Sequence, residues 1–136
     1  MVNKPIESRT TKQIGNAGEE QTVAYLKSQG FTIVARNYAK RYGEIDIIAQ
    51  KKDVLAFVEV KFRTKQFFDA TEVITRSKQR KIIMVAKEFI CSHTVENKVC
   101  RFDVALIEKE TNSLSYIPNA FTESEEWKTY SHDWQI

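Results

Sequence analysis

Residues 43–63 read GEIDIIAQKKDVLAFVEVKFR, and this stretch decides the fold. EIDIIA (44–49) and VLAFVEVKF (54–62) are rich in β-branched and aromatic side chains and are separated by the polar QKKD. They read as two strands of a hairpin joined by a short loop. Period-2 alternation puts Glu44, Asp46 and Ile48 on one face of the first strand, with Ile45 and Ile47 on the other. In the second strand Leu55, Phe57, Glu59 and Lys61 share a face, opposed by Val54, Ala56, Val58, Val60 and Phe62. Both faces are mainly apolar, which predicts a central strand covered on two sides.

Three charges, Asp46, Glu59 and Lys61, interrupt this apolar pair. Cross-strand pairing brings the two carboxylates within a few ångströms of each other. Two such charges at 4 Å repel by about 4 kcal/mol at an effective dielectric of 20, against the ~5–15 kcal/mol that holds a whole domain together. A proton, Lys61 or a bound divalent cation must offset this, and hard oxygen ligands favour Mg2+ or Mn2+ over zinc.

Working outward, NAGEEQTVAYLKSQ (Asn16 to Gln29) has a polar start, early acids and Gly30 in the stop position, which predicts a helix. Glu19 lies on the same helical stripe as Val23 and Leu26, an unusual place for a merely solubilising acid. FTIVARNY predicts a strand from Phe31 to about Asn37. Beyond the hairpin, Arg63 to Ile74 has no clear period and reads as a loop. From Thr75, Ile82, Val85, Ala86 and Phe89 recur at helical spacing, and Ile83 and Ile90 widen the stripe. Val99 to Ile107 predicts a strand, and Leu114 to Pro118 a last edge strand ended by proline. The order is α-β-β-β-α-β-β: a single α/β domain with a mixed sheet flanked by helices. Residues 1–12 read as a flexible N-terminus, 13–118 as the domain, and 119–136 as an acidic C-terminal extension carrying Trp127 and Trp134.

Composition agrees with one folded core. The chain has 136 residues, 42% of them hydrophobic, with only 4 Gly and 2 Pro, which excludes disordered, collagenous and linker-like polypeptides. The net charge of +3 conceals an asymmetry, since residues 1–100 sum to +7 (18 basic, 11 acidic) and 101–136 to −4 (3 basic, 7 acidic). Between Lys61 and Lys87, eight cations face only Asp69 and Glu72. Such a patch is either a solvated helix face or a surface for a polyanion, whose condensed counterions Lys and Arg release. Phe67 and Phe68 stand among these cations, placed either to stack on unpaired bases or to anchor the core. Two cysteines are too few for a disulfide scaffold, and Cys91, His93 and Cys100 have only the distant His132 to complete a zinc site. Asp103, on one strand face with Arg101 and Ala105, reads as an internal ion pair ahead of the alternative, a residue supporting the acidic site from behind. No export signal and no stretch of 18 apolar residues occurs, so no membrane association and a cytoplasmic location are expected.

An Asp, about a dozen residues, then Glu-X-Lys at a strand end, preceded by a helical Glu, resembles the PD-(D/E)XK nuclease superfamily. GNAGEEQTVAYLKSQGF, RNY, GEIDIIA, FVEVKFRT, SKQR, RFDVALI and IPNAF together resemble the YraN-like family of small bacterial proteins within it, from about Lys12 to Phe121. The resemblance implies a restriction-endonuclease-like core and metal-dependent hydrolysis of nucleic-acid phosphodiesters. DNA is favoured, in branched or flapped form by similarity to Holliday-junction resolvases. It further implies that Asp46 and Glu59 ligate Mg2+ or Mn2+, with Glu19 completing the acidic shell directly or through water. Lys61 would orient or activate the attacking water, and Gln79 would support the site. The nucleic acid would meet Arg63, Lys65, Arg76, Lys78, Arg80 and Lys81, and a homodimer is among the arrangements that resolvases adopt. The sequence departs from the superfamily pattern at Ile45, where the pattern has proline, and at Thr75-Arg76-Ser77-Lys78, where relatives carry Thr-Pro-Arg-Lys.

The chemistry asks for these residue types in its own right. Phosphodiester hydrolysis needs a metal to polarise the phosphoryl oxygen and acidify a water, and a cation to meet charge growing in the transition state. The alternatives are a structural ion-pair cluster of Asp46, Glu59 and Lys61, or a non-catalytic nucleic-acid-binding or scaffold module that keeps the nuclease frame.

Overall fold

The computed structural model describes residues 10–64 and 74–123. Its elements are α1 (Thr11–Ser28), β1 (Thr32–Lys40), β2 (Gly43–Lys51), β3 (Val54–Arg63), α2 (Arg76–Ser92), β4 (Val99–Glu108) and β5 (Leu114–Phe121). This is the element order expected from the sequence. The five strands form one sheet in the order β1-β2-β3-β4-β5. β3 and β4 pair in parallel and the other neighbours antiparallel, so the sheet is mixed. A parallel pair needs a crossover, and α2 lies on that connection.

The two helices cover opposite faces. Val23 and Leu26 of α1 pack with Ile47, Ala49, Ala56, Val58 and Ala105, while Ile82, Val85, Ala86 and Phe89 of α2 pack with Ile45, Ile48, Leu55, Phe57 and Val104. β3 therefore alternates as its sequence requires, with Leu55 and Phe57 toward α2, Ala56 and Val58 toward α1. Gly18 of α1 is a point of close approach: a Cβ there would fall 2.3 Å from the Phe62 ring and 3.1 Å from Ile107 Cδ1. That contact explains a glycine inside a helix, where it costs ~1 kcal/mol relative to alanine. No helix among the described residues is long and apolar enough to cross a membrane.

The structure differs from the sequence expectation in four places. α1 starts at Thr11, ahead of Asn16, because Thr10 and Gln13 form a capping box: the Gln13 N–H donates to Thr10 Oγ1 (3.2 Å) and the Thr10 N–H to Gln13 Oε1 (2.8 Å). β1 continues to Lys40. β5 continues past Pro118 to Phe121; the proline stands in an edge strand where the β4–β5 register shifts, so its missing N–H interrupts no ladder bond.

The fourth difference matters most. Strict alternation would put Ile45 and Ile47 on one face, yet Ile45 packs with Ile48 toward α2 and Ile47 toward α1. The β2–β3 ladder runs from Lys51↔Val54 to Ile47↔Val58. β2 remains paired with β1 beyond that point, through Ile45↔Tyr38 to Gly43↔Lys40. Opposite Asp46, Asn37 of β1 has φ 51°, a left-handed conformation that asparagine tolerates better than most residues. The β1–β2 ribbon thus parts from β3 at Asp46, and the sheet opens as a fork.

Candidate functional site

The fork exposes a backbone donor of β3, and a side chain takes it. The Val60 N–H donates to Asp46 Oδ2 (2.8 Å). Glu59, one residue earlier on β3, is 5% exposed and lies within hydrogen-bonding reach of the Asp46 carboxyl. Burial, and then the Glu59 charge, push the Asp46 carboxyl from 3.8 up to about 7; the Val60 N–H pulls the other way and Glu19 adds to the rise. In the folded chain Asp46 therefore holds a proton that the unfolded chain has already released. Its contribution to stability is full below about 3.8 and is lost as pH rises to about 7. Urea midpoints measured across this window are expected to fall with rising pH. An Asp46→Asn chain that keeps the native slope would contradict this.

The ammonium that meets the acidic pair comes from α2. Thr75 caps the helix, its Oγ1 accepting the Lys78 N–H (3.2 Å), and this sets Lys78 over the fork with Nζ 2.6 Å from Glu59 Oε1. Burial lowers the Lys78 pKa, but the hydrogen bond to Glu59 and the charges of Glu59, Asp46 and Glu44 outweigh it, and the net shift is upward. Lys61, on the same strand face as Glu59, forms no ion pair among the described residues. Gln79 is half-buried and donates through Nε2 to the Ile74 carbonyl (2.9 Å), tying the start of α2 to the chain before it.

Glu19 reaches the site from α1, as its place beside Val23 and Leu26 predicts. Its side chain is 14% exposed and is held by β1: Asn37 Nδ2 donates to Oε2 (3.3 Å), and an Arg36 guanidinium nitrogen lies 3.6 Å away. Its charge is felt at Asp46, but its nearest partners are these two residues of β1. Arg36 also pairs with Glu20 at 2.6 Å.

Of the predicted nucleic-acid residues, Arg76, Arg80 and Lys81 are exposed along the start of α2, and Lys78 is drawn into the acidic pair. Arg63 is half-buried and faces Glu108 (3.4 Å). Lys65, Phe67, Phe68, Trp127, Trp134 and His132 lie outside the described residues. Asp103, also considered as a supporting residue, packs toward α1 as an ion pair with Arg101 (2.9 Å), away from Glu59.

Two hard carboxylates that repel each other and gain from any added positive charge fit Mg2+ or Mn2+. Among the described residues no group of three or more His, Cys, Asp or Glu side chains that could hold a metal ion is present, and the acidic site consists of the two carboxylates Asp46 and Glu59 with Glu19 further off. Arg36 and Asn37 were not anticipated as anchors of Glu19. Their signal was an asparagine inside a strand, a residue that strands disfavour unless the backbone is unusual. Lys78 carried no signal beyond its charge.

The chain is also similar to known proteins over most of its length. The profile of "Uncharacterised protein family UPF0102" matches residues 18–107. A UPF0102 protein of Desulfosudis oleivorans is 42% identical over 111 residues, covering 81% of this chain and 90% of that protein. One from Dictyoglomus turgidum is 41% identical over 115 residues, covering 81% and 98%, and one from Myxococcus xanthus is 34% identical over 113 residues, covering 81% and 90%. With the profile running from the middle of α1 into β4, and relatives at this identity covered over nine-tenths or more of their length, the chain belongs to the UPF0102, or YraN-like, family.

Proposed function

We propose that this protein is a metal-dependent endonuclease that hydrolyses phosphodiester bonds in nucleic acid, with DNA, branched or flapped, as the favoured substrate. The observation that carries the reading is the meeting of Asp46 and Glu59 at the fork, where burial and mutual repulsion raise the Asp46 carboxyl to about 7. A carboxylate pair so placed gains from a cation.

Asp46 and Glu59 hold Mg2+ or Mn2+, which when bound polarises the phosphoryl oxygen and acidifies a water. Lys61, with no carboxylate to neutralise it among the described residues, steadies the developing phosphate charge and orients the attacking water. Glu19 supplements the acidic field, fixed by Asn37 and Arg36. Arg76, Arg80 and Lys81 on the exposed start of α2 meet the phosphate backbone, joined by Arg63 at the end of β3 and by Lys65, two residues later in the sequence. This reading puts the protein in the cytoplasm with its substrate and takes a homodimer as the assembly to look for.

A second reading, a nucleic-acid-binding module without catalysis, is favoured by one observation: Lys78 already neutralises Glu59 at 2.6 Å. Incubation of linear, flapped, junction and single-stranded DNA, and of RNA, with Mg2+ or Mn2+ separates the two. Nicking under either metal is the expected result; binding without nicking leaves the binding module. Affinity should fall steeply with salt, about 10³-fold between 50 and 200 mM if six phosphates are neutralised. Salt-insensitive or absent binding overturns both readings.

A further inference from the structure

Resting on the nuclease reading, we propose that Lys78 is a resident counter-cation that exchanges with the divalent ion. Its ammonium leaves Glu59 as the ion enters and turns to the phosphates of the bound strand, so that ion binding and polyanion binding are coupled through one side chain.

The geometry gives the two partners unequal freedom. Glu59 is 5% exposed and sits on β3 opposite Val104 of β4, inside the sheet. Lys78 is 45% exposed, and only its main chain is fixed, by the Thr75 cap. Its four-carbon stem can swing the ammonium to solvent without moving the helix. Lys78 Nζ rests directly on Glu59 Oε1, at 2.6 Å, and a divalent ion taking that oxygen must displace it.

Asp46 and Glu44 also act on Lys78, so its ammonium answers to the whole acidic cluster and not to Glu59 alone. Lys61, two residues from Glu59 on the same strand face, does not fill this place. Once released, the Lys78 ammonium lies one turn from exposed Lys81, on the helix start that also carries exposed Arg76 and Arg80. There a phosphate backbone would hold it, and what favours release on one side favours it on the other.

Calorimetry of Mn2+ binding, alone and with a short DNA duplex, tests the exchange in the full chain. Lys78→Met is expected to bind Mn2+ about tenfold more tightly than wild type, because the ion no longer displaces a competitor. The duplex is expected to tighten Mn2+ binding several-fold in wild type and not in the variant. The unmodified chain gives a second measure: amine acetylation at Lys78, followed by mass spectrometry, is expected to speed up several-fold at saturating Mg2+. This measure decides the matter if Lys78→Met leaves Glu59 unpaired and the variant fails to fold. Mn2+ binding by wild type with unchanged Lys78 acetylation, or equal affinity in a folded Lys78→Met chain, overturns the exchange while the nuclease reading stands. No Mn2+ or Mg2+ binding in either protein overturns both.

Discussion

Asp46→Asn is expected to lower metal-dependent phosphodiester cleavage by about 10³-fold, the loss of roughly 4 kcal/mol of transition-state stabilisation. The chain should stay folded. The asparagine Oδ1 can still accept the Val60 N–H that Asp46 Oδ2 takes at 2.8 Å, so the fork keeps this side-chain bridge. What disappears is a charge that burial and Glu59 already resist, as the rise of the Asp46 carboxyl to about 7 records. At pH 8, above that value, the variant should be as stable as wild type or more so. Single-turnover cleavage with Mg2+ beside a urea titration separates the two effects. Undiminished cleavage removes Asp46 from the chemistry, and a large loss of stability would make it a structural residue.

Asp103→Ala should act in the opposite way, lowering stability by about 3–5 kcal/mol. Asp103 is fully buried and accepts from four donor groups on three residues: Arg101 through Nε and a terminal nitrogen (both 2.9 Å), the Tyr116 hydroxyl (2.5 Å) and the Asn119 N–H (2.8 Å). Alanine leaves a half-buried guanidinium, a half-buried hydroxyl and a backbone donor without their acceptor. The last of these sits where the β4–β5 register shifts, so the edge strand loses a side-chain bridge to β4 at the place where the ladder is interrupted. In a domain held by ~5–15 kcal/mol the effect is a large share of the total. Urea or thermal unfolding should show it directly, and a loss under about 1 kcal/mol would contradict it. Since Asp103 packs toward α1 and Glu59 toward α2, Mn2+ affinity of the folded fraction should not change.

The two aspartates show how unevenly the sequence reveals its purposes. RFDVAL announces an internal ion pair, because Arg101 and Asp103 are two apart on a strand and must share a face. GEIDIIA announces a buried acid, yet alternation alone places Asp46 on a regular strand face. It stands instead where β2 leaves β3, and the cause lies partly in another strand, in the left-handed Asn37 opposite it. Glu19 was legible because Val23 and Leu26 name the buried side of α1. Its anchors, Arg36 and Asn37, come from β1, and no spacing within the helix points to them.

Sequence by itself determined the element order, the two-sided burial of β3 and the convergence of Asp46 with Glu59, since periodicity and hairpin connection are local properties written in consecutive residues. Tertiary structure alone decided that the sheet forks at Asp46 and that Lys78, rather than the nearer Lys61, meets Glu59. Those outcomes depend on how α2 lies across the end of β3, a packing of segments far apart in the chain, and an ammonium pairs with the carboxylate it reaches in space.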